Sequence, residues 1–257
     1  MRLEVTTTNI LLMIGATFLF SLILVPVFKK VAFHIGALDY PNQRRLNKVP
    51  MPTIGGLAVF FSFLLGYMIF GRGTTEMISI LIASFVILMV GLIDDIKPIS
   101  AKYQFIGQTI AVLIIMLYGH ITIDNLTILG HTFVFDAPWN YIVTLIFMLG
   151  IINAIDLSDG MDGLSSGISI IYFITIVVIA FIIGGGKLGN MDTTIAILMI
   201  GSLLGFLVYN FPPAKIYIGD SGSNFMGLMV ATTALYGFKL ATFTSLLIPL
   251  AILATPI

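Results

Sequence analysis

The chain of 257 residues sets 12 Lys and Arg against 12 Asp and Glu, has no cysteine, and is 58% hydrophobic and only 9% charged. Zero formal charge gives no bulk attraction to nucleic acid, and the lack of cysteine excludes disulfides, thiol catalysis and cysteine-ligated metals. So apolar a composition belongs to a membrane protein, and it makes the placement of each charge informative.

A helix crossing a hydrocarbon core needs about 17 to 25 apolar residues. Such runs lie near 9–28, 54–70, 77–93, 104–119, 140–155, 167–184, 193–211, 223–237 and 243–257, predicting an all-α polytopic protein of about nine transmembrane helices. The first run has no small-residue cleavage site and passes directly into Lys29-Lys30, so it reads as a retained span. Alternate loops gather Lys29, Lys30, Arg44, Arg45, Lys48, Lys97, Lys102 and Lys215 on one side and leave Arg2, Arg72, Lys187 and Lys239 on the other. The richer side is expected to be cytoplasmic, with the N-terminus outside. The same sorting places Asp39, Asp94, Asp95, Asp156, Asp159, Asp162 and Asp220 inside. Only one outer loop is long: "HITIDNLTILGHTFVFDAPW", 120–139, has β-branched residues around Leu129-Gly130 and predicts a small external hairpin. With no flexible linker, low-complexity tract or internal repeat, one domain over 1–257 is the simplest organisation.

Four inner segments hold most of the polar information. "YPNQRRLNKVPMPTIGG" (40–56) offers Arg44, Arg45 and Lys48, suited to phosphate, although inward positive charge alone would put bases there. "GLIDDIKPISAKYQFIGQ" (91–108) brings Asp94 and Asp95 together at a span end. Adjacent carboxylates repel unless a proton, Lys97 or a cation such as magnesium relieves them, and a solvated helix end before Pro98 is the plain alternative. "INAIDLSDGMDGLSSG" (151–166) spaces Asn153, Asp156, Asp159 and Asp162 by three, an advance of about 300° per step in a regular helix, so they would drift across a face. Gly160 and Gly163 argue for a helix broken after Asp159, whose end would line a polar cavity; a hydrated loop is the competing explanation. In "YNFPPAKIYIGDSGSNFMG" (209–227) Gly219 and Gly222 flank Asp220 and permit close approach of a ligand, but Asp220 could equally cap a helix beginning near Ser223. Pro212-Pro213 ends the preceding span, and Tyr217 is an interfacial anchor or a stacking surface for a flat base. Carboxylates suited to magnesium, bases suited to phosphate and an apolar wall together fit an enzyme joining a phosphorylated lipid to a water-soluble phosphate donor.

Taken in order, "PNQRRLNKVPMPTIGG", "GLIDDIKPI", "INAIDLSDGMDGL" and "NFPPAKIYIGDSGS" resemble the polyprenyl-phosphate N-acetylhexosamine-1-phosphate transferases, across residues 39 to 227. The subgroup most resembled is the TagO/WecA-like enzymes, with the MraY-like translocases more distant. The resemblance implies transfer of N-acetylglucosamine 1-phosphate from UDP-N-acetylglucosamine to undecaprenyl phosphate with release of UMP and a requirement for magnesium. It implies a first membrane step of teichoic acid or other surface-glycan synthesis, in the bacterial plasma membrane with the active site on the cytoplasmic face. By matching motifs Asp94 and Asp95 would be the catalytic pair and Asp220 would bind magnesium. Asp159, Asp162, Asn210, Tyr217 and, more loosely, Lys48 would line the nucleotide pocket, with Asn153, Asp156, Arg44 and Arg45 as further polar groups of the site. Partners would be the lipid phosphate, the UDP-sugar, the bilayer and a second copy of the chain as a candidate homodimer. Relatives commonly carry Asn where this chain has Asp156, which adds negative charge to a site that must accept a pyrophosphate. The family also continues past the equivalent of "LPLAILATPI" into a histidine-rich cytoplasmic loop. A chain ending at Ile257 is therefore expected to insert in the membrane yet be inactive, as a transferase domain lacking its C-terminal part.

Two rival readings come from other classes. A cation-coupled transporter also uses carboxylates in broken helices, but would place them mid-span. An intramembrane aspartyl protease is suggested by "YIGD", and fails because Tyr217 stands where that signature needs its first glycine.

Overall fold

A computed structural model of the chain describes residues 7–41, 49–128, 131–183 and 190–238. Among them are eight helices: α1 (Thr7–Ile35), α2 (Gly55–Phe70), α3 (Thr75–Ile96), α4 (Ala101–Leu117), α5 (Trp139–Ser158), α6 (Leu164–Ile183), α7 (Met191–Asn210) and α8 (Gly219–Phe238). Each coincides with one of the first eight apolar runs, because a backbone out of water can satisfy its N–H and C=O groups only within a helix or closed sheet. The ninth run, 243–257, lies outside the described residues. Among the described residues α1, α3, α5, α6 and α7 are long and apolar enough to cross a membrane, while α2 and α4 are shorter apolar helices. Of the nine expected crossings, five helices among the described residues thus meet the requirement by length and composition.

Two antiparallel ribbons accompany the helices. β1 (Leu38–Asp39) pairs with β2 (Met51–Pro52), Leu38 opposite Pro52, and draws together the chain on either side of residues 42–48. The predicted hairpin is present as β3 (Asn125–Ile128) and β4 (His131–Val134), in register from Asn125↔Val134 to Ile128↔His131.

Helix α8 is the axis of the bundle, packed by α5, α3 and α2, while α1 covers α7. Every residue from Ser221 to Thr233 is buried. This is the helix with Ser221, Ser223, Asn224, Thr232 and Thr233, whereas peripheral α1 exposes Leu11, Leu12, Leu19 and Ile23. The polar helix sits inside because lipid offers no hydrogen bonds and is as apolar as leucine, so association rests on close packing and on internal bonds. Thr232 and Thr233 donate to the carbonyls of Leu228 and Met229, at 2.7 and 2.8 Å. Close packing comes from glycine. Gly56 faces Gly222, Gly91 lies on the backbone of Ser221, and Gly227 on that of Ile152, so a β-carbon at any of them would overlap main chain.

Pro26 interrupts α1 and cannot donate to the Leu22 carbonyl four residues back. The hydroxyl of Tyr209 on α7 donates to that carbonyl instead, at 3.1 Å.

Candidate functional site: the acidic end of the bundle

Four connections expected on one face meet at one end of the helices. Tyr217 N donates to Pro52 O at 2.8 Å, Gly55 N to Tyr217 O at 3.0 Å and Gly56 N to Ile218 O at 2.8 Å, lacing the β2–α2 junction to the α7–α8 connection. Ala214 N donates to Asp162 Oδ2 at 2.9 Å and Gly163 N to Asn210 Oδ1 at 3.0 Å, attaching the α5–α6 turn to the same segment. Asn210 Nδ2 also donates to Ile216 O at 3.0 Å. Asp162 and Asn210, expected from the sequence at a nucleotide pocket, here tie the α5–α6 turn to the α7–α8 connection.

Helix α8 begins at Gly219, so Asp220 lies in its first turn and not before it. Gly219 has φ +72, and a β-carbon there would strike the Thr53 carbonyl, which leaves glycine as the residue that fits. The start of α8 is capped from another helix: Asp95 Oδ1 accepts from Asp220 N at 2.9 Å and Oδ2 from Ser221 N at 3.1 Å. A carboxylate at a helix N-terminus satisfies orphan donors and meets the positive end of the helix dipole.

The adjacent acids therefore do different work. Asp94 Oδ1 accepts from Ile99 N at 2.6 Å, fixing the turn after α3, while Oδ2 accepts from Gln104 Nε2 at 2.9 Å. Gln104 Nε2 reaches Asp220 Oδ2 as well, at 3.3 Å, and the Asp94 and Asp220 carboxyls lie within hydrogen-bonding reach of each other. Asp156 accepts a short hydrogen bond from Ser223 Oγ.

Helix α5 ends at Ser158, as the glycines beyond it predicted, and Asp159 follows as its C-cap residue. Burial raises the Asp159 carboxyl to about 7; Ser165, donating to Oδ1 at 2.5 Å, works against the rise, and the charges of Asp156, Asp95 and Asp162 add to it. Asn153 on α5 faces Gln108, donating from Nδ2 to Oε1 at 2.9 Å. Arg44, Arg45 and Lys48 lie outside the described residues. Tyr217 contributes its backbone to the lacing above.

Among the described residues no three acidic or histidine side chains converge as a ready metal cage. The donor set that could hold a hard cation is the Asp94–Asp220 pair. Magnesium commonly takes one or two carboxylates, completing its shell with water and substrate phosphate, so two facing carboxylates fit it by donor type.

Gln104, Gln108, Ser165, Ser223 and Asn224 also join the site, none of them expected from the sequence. The available signal was Gln104 and Gln108, four residues apart in an apolar helix and hence on one face, where side-chain amides need partners.

Helices of spanning length around a polar axis, with the partly buried Asp94, Asp95, Asp156, Asp159, Asp162 and Asp220 at one end and buried Asp192 at the other, define a multi-pass membrane protein with an oxygen-rich site at the first of these ends. The chain belongs to glycosyl transferase family 4, whose model matches residues 77–238, more than half of it. It is 39% identical over 239 residues to a probable undecaprenyl-phosphate N-acetylglucosaminyl 1-phosphate transferase of Bacillus subtilis strain 168, covering 92% of this chain and 65% of that relative. It is 32% identical to a decaprenyl-phosphate N-acetylglucosaminephosphotransferase of Mycobacterium tuberculosis H37Rv, over 80% of this chain and 55% of the relative. A phospho-N-acetylmuramoyl-pentapeptide-transferase of Staphylococcus carnosus is 30% identical, with 85% and 73% covered. The chain thus spans just under two thirds of the Bacillus relative and about half of the mycobacterial one.

Proposed function

We propose that this chain carries the acidic centre of a polyprenyl-phosphate sugar-1-phosphate transferase, acting at the cytoplasmic face of a bacterial plasma membrane. The donor would be UDP-N-acetylglucosamine and the acceptor undecaprenyl phosphate, with UMP released and the product feeding a surface glycan such as teichoic acid. The observation that carries this is the Asp94–Asp220 pair, set at the end of the helices where a lipid headgroup and a water-soluble donor can meet. The names of the Bacillus and mycobacterial relatives support the sugar and the lipid phosphate.

In the reaction an oxygen of the lipid phosphate forms a bond to the β-phosphorus of the donor, and the bond from that phosphorus to the UMP oxygen breaks. Magnesium, when bound, would neutralise phosphate charge and help UMP depart. Asp95 gives both oxygens to backbone donors of α8, whereas Asp94 gives one to Ile99 N and the other to a side-chain amide, so Asp94 is the member of the adjacent pair that would orient the lipid phosphate or take its proton. Asp220 would join Asp94 in holding the cation. Asp159, with a carboxyl near 7, could carry a proton when a phosphate group approaches. Asp162 and Asn210 would shape the nucleotide side by fixing the loops, with Tyr217 in the same laced segment.

Product analysis tests the proposal: the full-length protein in detergent receives undecaprenyl phosphate, magnesium and a series of UDP-sugars. Lipid-linked N-acetylglucosamine diphosphate with stoichiometric UMP is the expected outcome. UMP release with every donor except the N-acetylglucosamine one would refute the donor assignment, and none with any donor would refute the transferase. The transporter alternative draws no support from the positions of the acids, since Asp94 is in the last turn of α3, Asp159 follows α5 and Asp220 is in the first turn of α8.

A further inference from the structure

We propose that Gln104 is a positioning residue, a neutral amide clamp that holds the Asp94 and Asp220 carboxylates at the separation a divalent cation needs. The inference rests on the cation reading above and deepens it.

An amide nitrogen has two hydrogens and no charge to give up. In Gln104 both are committed, one to Asp94 Oδ2 at 2.9 Å and one to Asp220 Oδ2 at 3.3 Å. Two carboxylates brought this close repel unless something lies against both. A lysine there would relieve the charge but compete with any cation, whereas an amide orients the oxygens and leaves their charge available.

The clamp is itself held. One turn further along α4, Gln108 is 2% exposed and donates from Nε2 to Asn224 Oδ1 at 2.7 Å. Its Oε1 accepts from Asn153 Nδ2, which also donates to Leu149 O at 2.8 Å. Asn224 Nδ2 in turn donates to the Asp220 carbonyl at 2.7 Å. Amides from α4, α5 and α8 thus form a continuous ladder, with Gln104 as the rung that touches the acids and Gln108 as the rung that fixes the register of α4. Asn153, expected on sequence grounds as a polar group of the site, is a strut of this ladder. In apolar surroundings each unpaired amide group would carry a desolvation penalty, so the ladder favours one arrangement of the three helices.

The test uses Mn2+ as a spin-active probe, its free concentration read by electron paramagnetic resonance during titration of the full-length protein in detergent, with thermal unfolding measured in parallel. Partners that orient metal ligands commonly govern metal affinity by about 10- to 100-fold, and Gln104→Ala should weaken Mn2+ binding within that range. Gln104→Met has similar length and no donor, keeps the packing, and should give the same loss. Gln108→Ala should chiefly lower the unfolding temperature, with a smaller change in Mn2+ affinity. Parental Mn2+ affinity in both Gln104 variants, or an equal affinity loss in Gln108→Ala, overturns the clamp while leaving the transferase reading intact. A parent that releases UMP but binds no Mn2+ overturns the cation reading and the clamp with it.

Discussion

At the residue scale the adjacent acids Asp94 and Asp95 separate by function. Asp95 meets two backbone donors with two oxygens, so Asp95→Asn would turn an NH2 group toward one of them. Leaving a buried N–H without an acceptor costs about 1–3 kcal/mol, and thermal unfolding in detergent should register a loss of that size. Asp94→Asn keeps an oxygen for Ile99 N and turns its new NH2 toward Gln104, a side-chain amide that can rotate to present its oxygen where a backbone N–H cannot, so the fold should persist while UMP release is lost. Equal destabilisation by the two substitutions would sink this division. Asp159 gives a pH prediction. Its carboxyl is raised from 3.8 to about 7 by burial, reinforced by the charges of Asp156, Asp95 and Asp162, so the folded state holds the proton more tightly than the unfolded chain. The stabilisation is full below the unfolded value and is lost as pH rises through about 7. Cation-free protein should accordingly unfold at a lower temperature near about pH 8 than near about pH 6, and Asp159→Asn should reduce that difference. A slope that survives the substitution unchanged would assign it to other groups.

At the element scale the interruption in α1 is repaired by a side chain far away in sequence. Removing the Tyr209 hydroxyl by Tyr209→Phe leaves the Leu22 carbonyl beside a proline that cannot donate, and should lower stability by about 1 kcal/mol. Restoring a backbone N–H with Pro26→Ala should recover most of this, making the pair non-additive in a double-mutant cycle. Additive losses would show that the hydroxyl is not substituting for the missing helix bond. The entry into α8 makes a sharper case. Gly219→Ala demands a positive φ of an L residue and drives its methyl into the Thr53 carbonyl. Both faults displace the first turn, where Asp220 stands and Asp95 caps. Mn2+ binding should fall along with stability, and an alanine variant matching the parent in both measurements would contradict the geometry.

At the scale of the whole molecule the bundle is arranged with polar surface inward and apolar surface outward, and its connections divide between two ends. The acidic end holds the connections after α1, α3, α5 and α7, while the opposite end holds the α2–α3 turn, where Thr74 Oγ1 touches Met191 Sδ at 3.6 Å, and the β3–β4 hairpin. If the acidic end faces the cytoplasm as proposed, a cysteine at exposed Ser100 should resist a membrane-impermeant maleimide in intact cells, and one at exposed His120 should react. The native chain has no cysteine, so labelling has no background within it. Reaction at Ser100 and protection of His120 would invert the topology and remove both substrates from their proposed side.

Helix number, order and approximate limits were legible through 238 because a hydrocarbon environment demands long apolar helices, and apolar runs are visible residue by residue. The break after Asp159 was equally local, since Gly160 and Gly163 are neighbours in sequence. The hairpin, too, announced itself in a β-branched segment. What no local pattern contained was the assignment of partners. That Asp95 would cap α8, Asp162 hold Ala214, and Gln104 join Asp94 to Asp220 depends on which helix ends meet in space. Those pairings join residues more than 50 and, for α8, more than 100 positions apart, except Gln104 with Asp94. By itself the sequence determined that carboxylates would gather at one end of a helical membrane protein. Only the tertiary structure decided which of them are occupied with backbone and which are left facing one another, because a carboxylate's role is set by the donors packed against it.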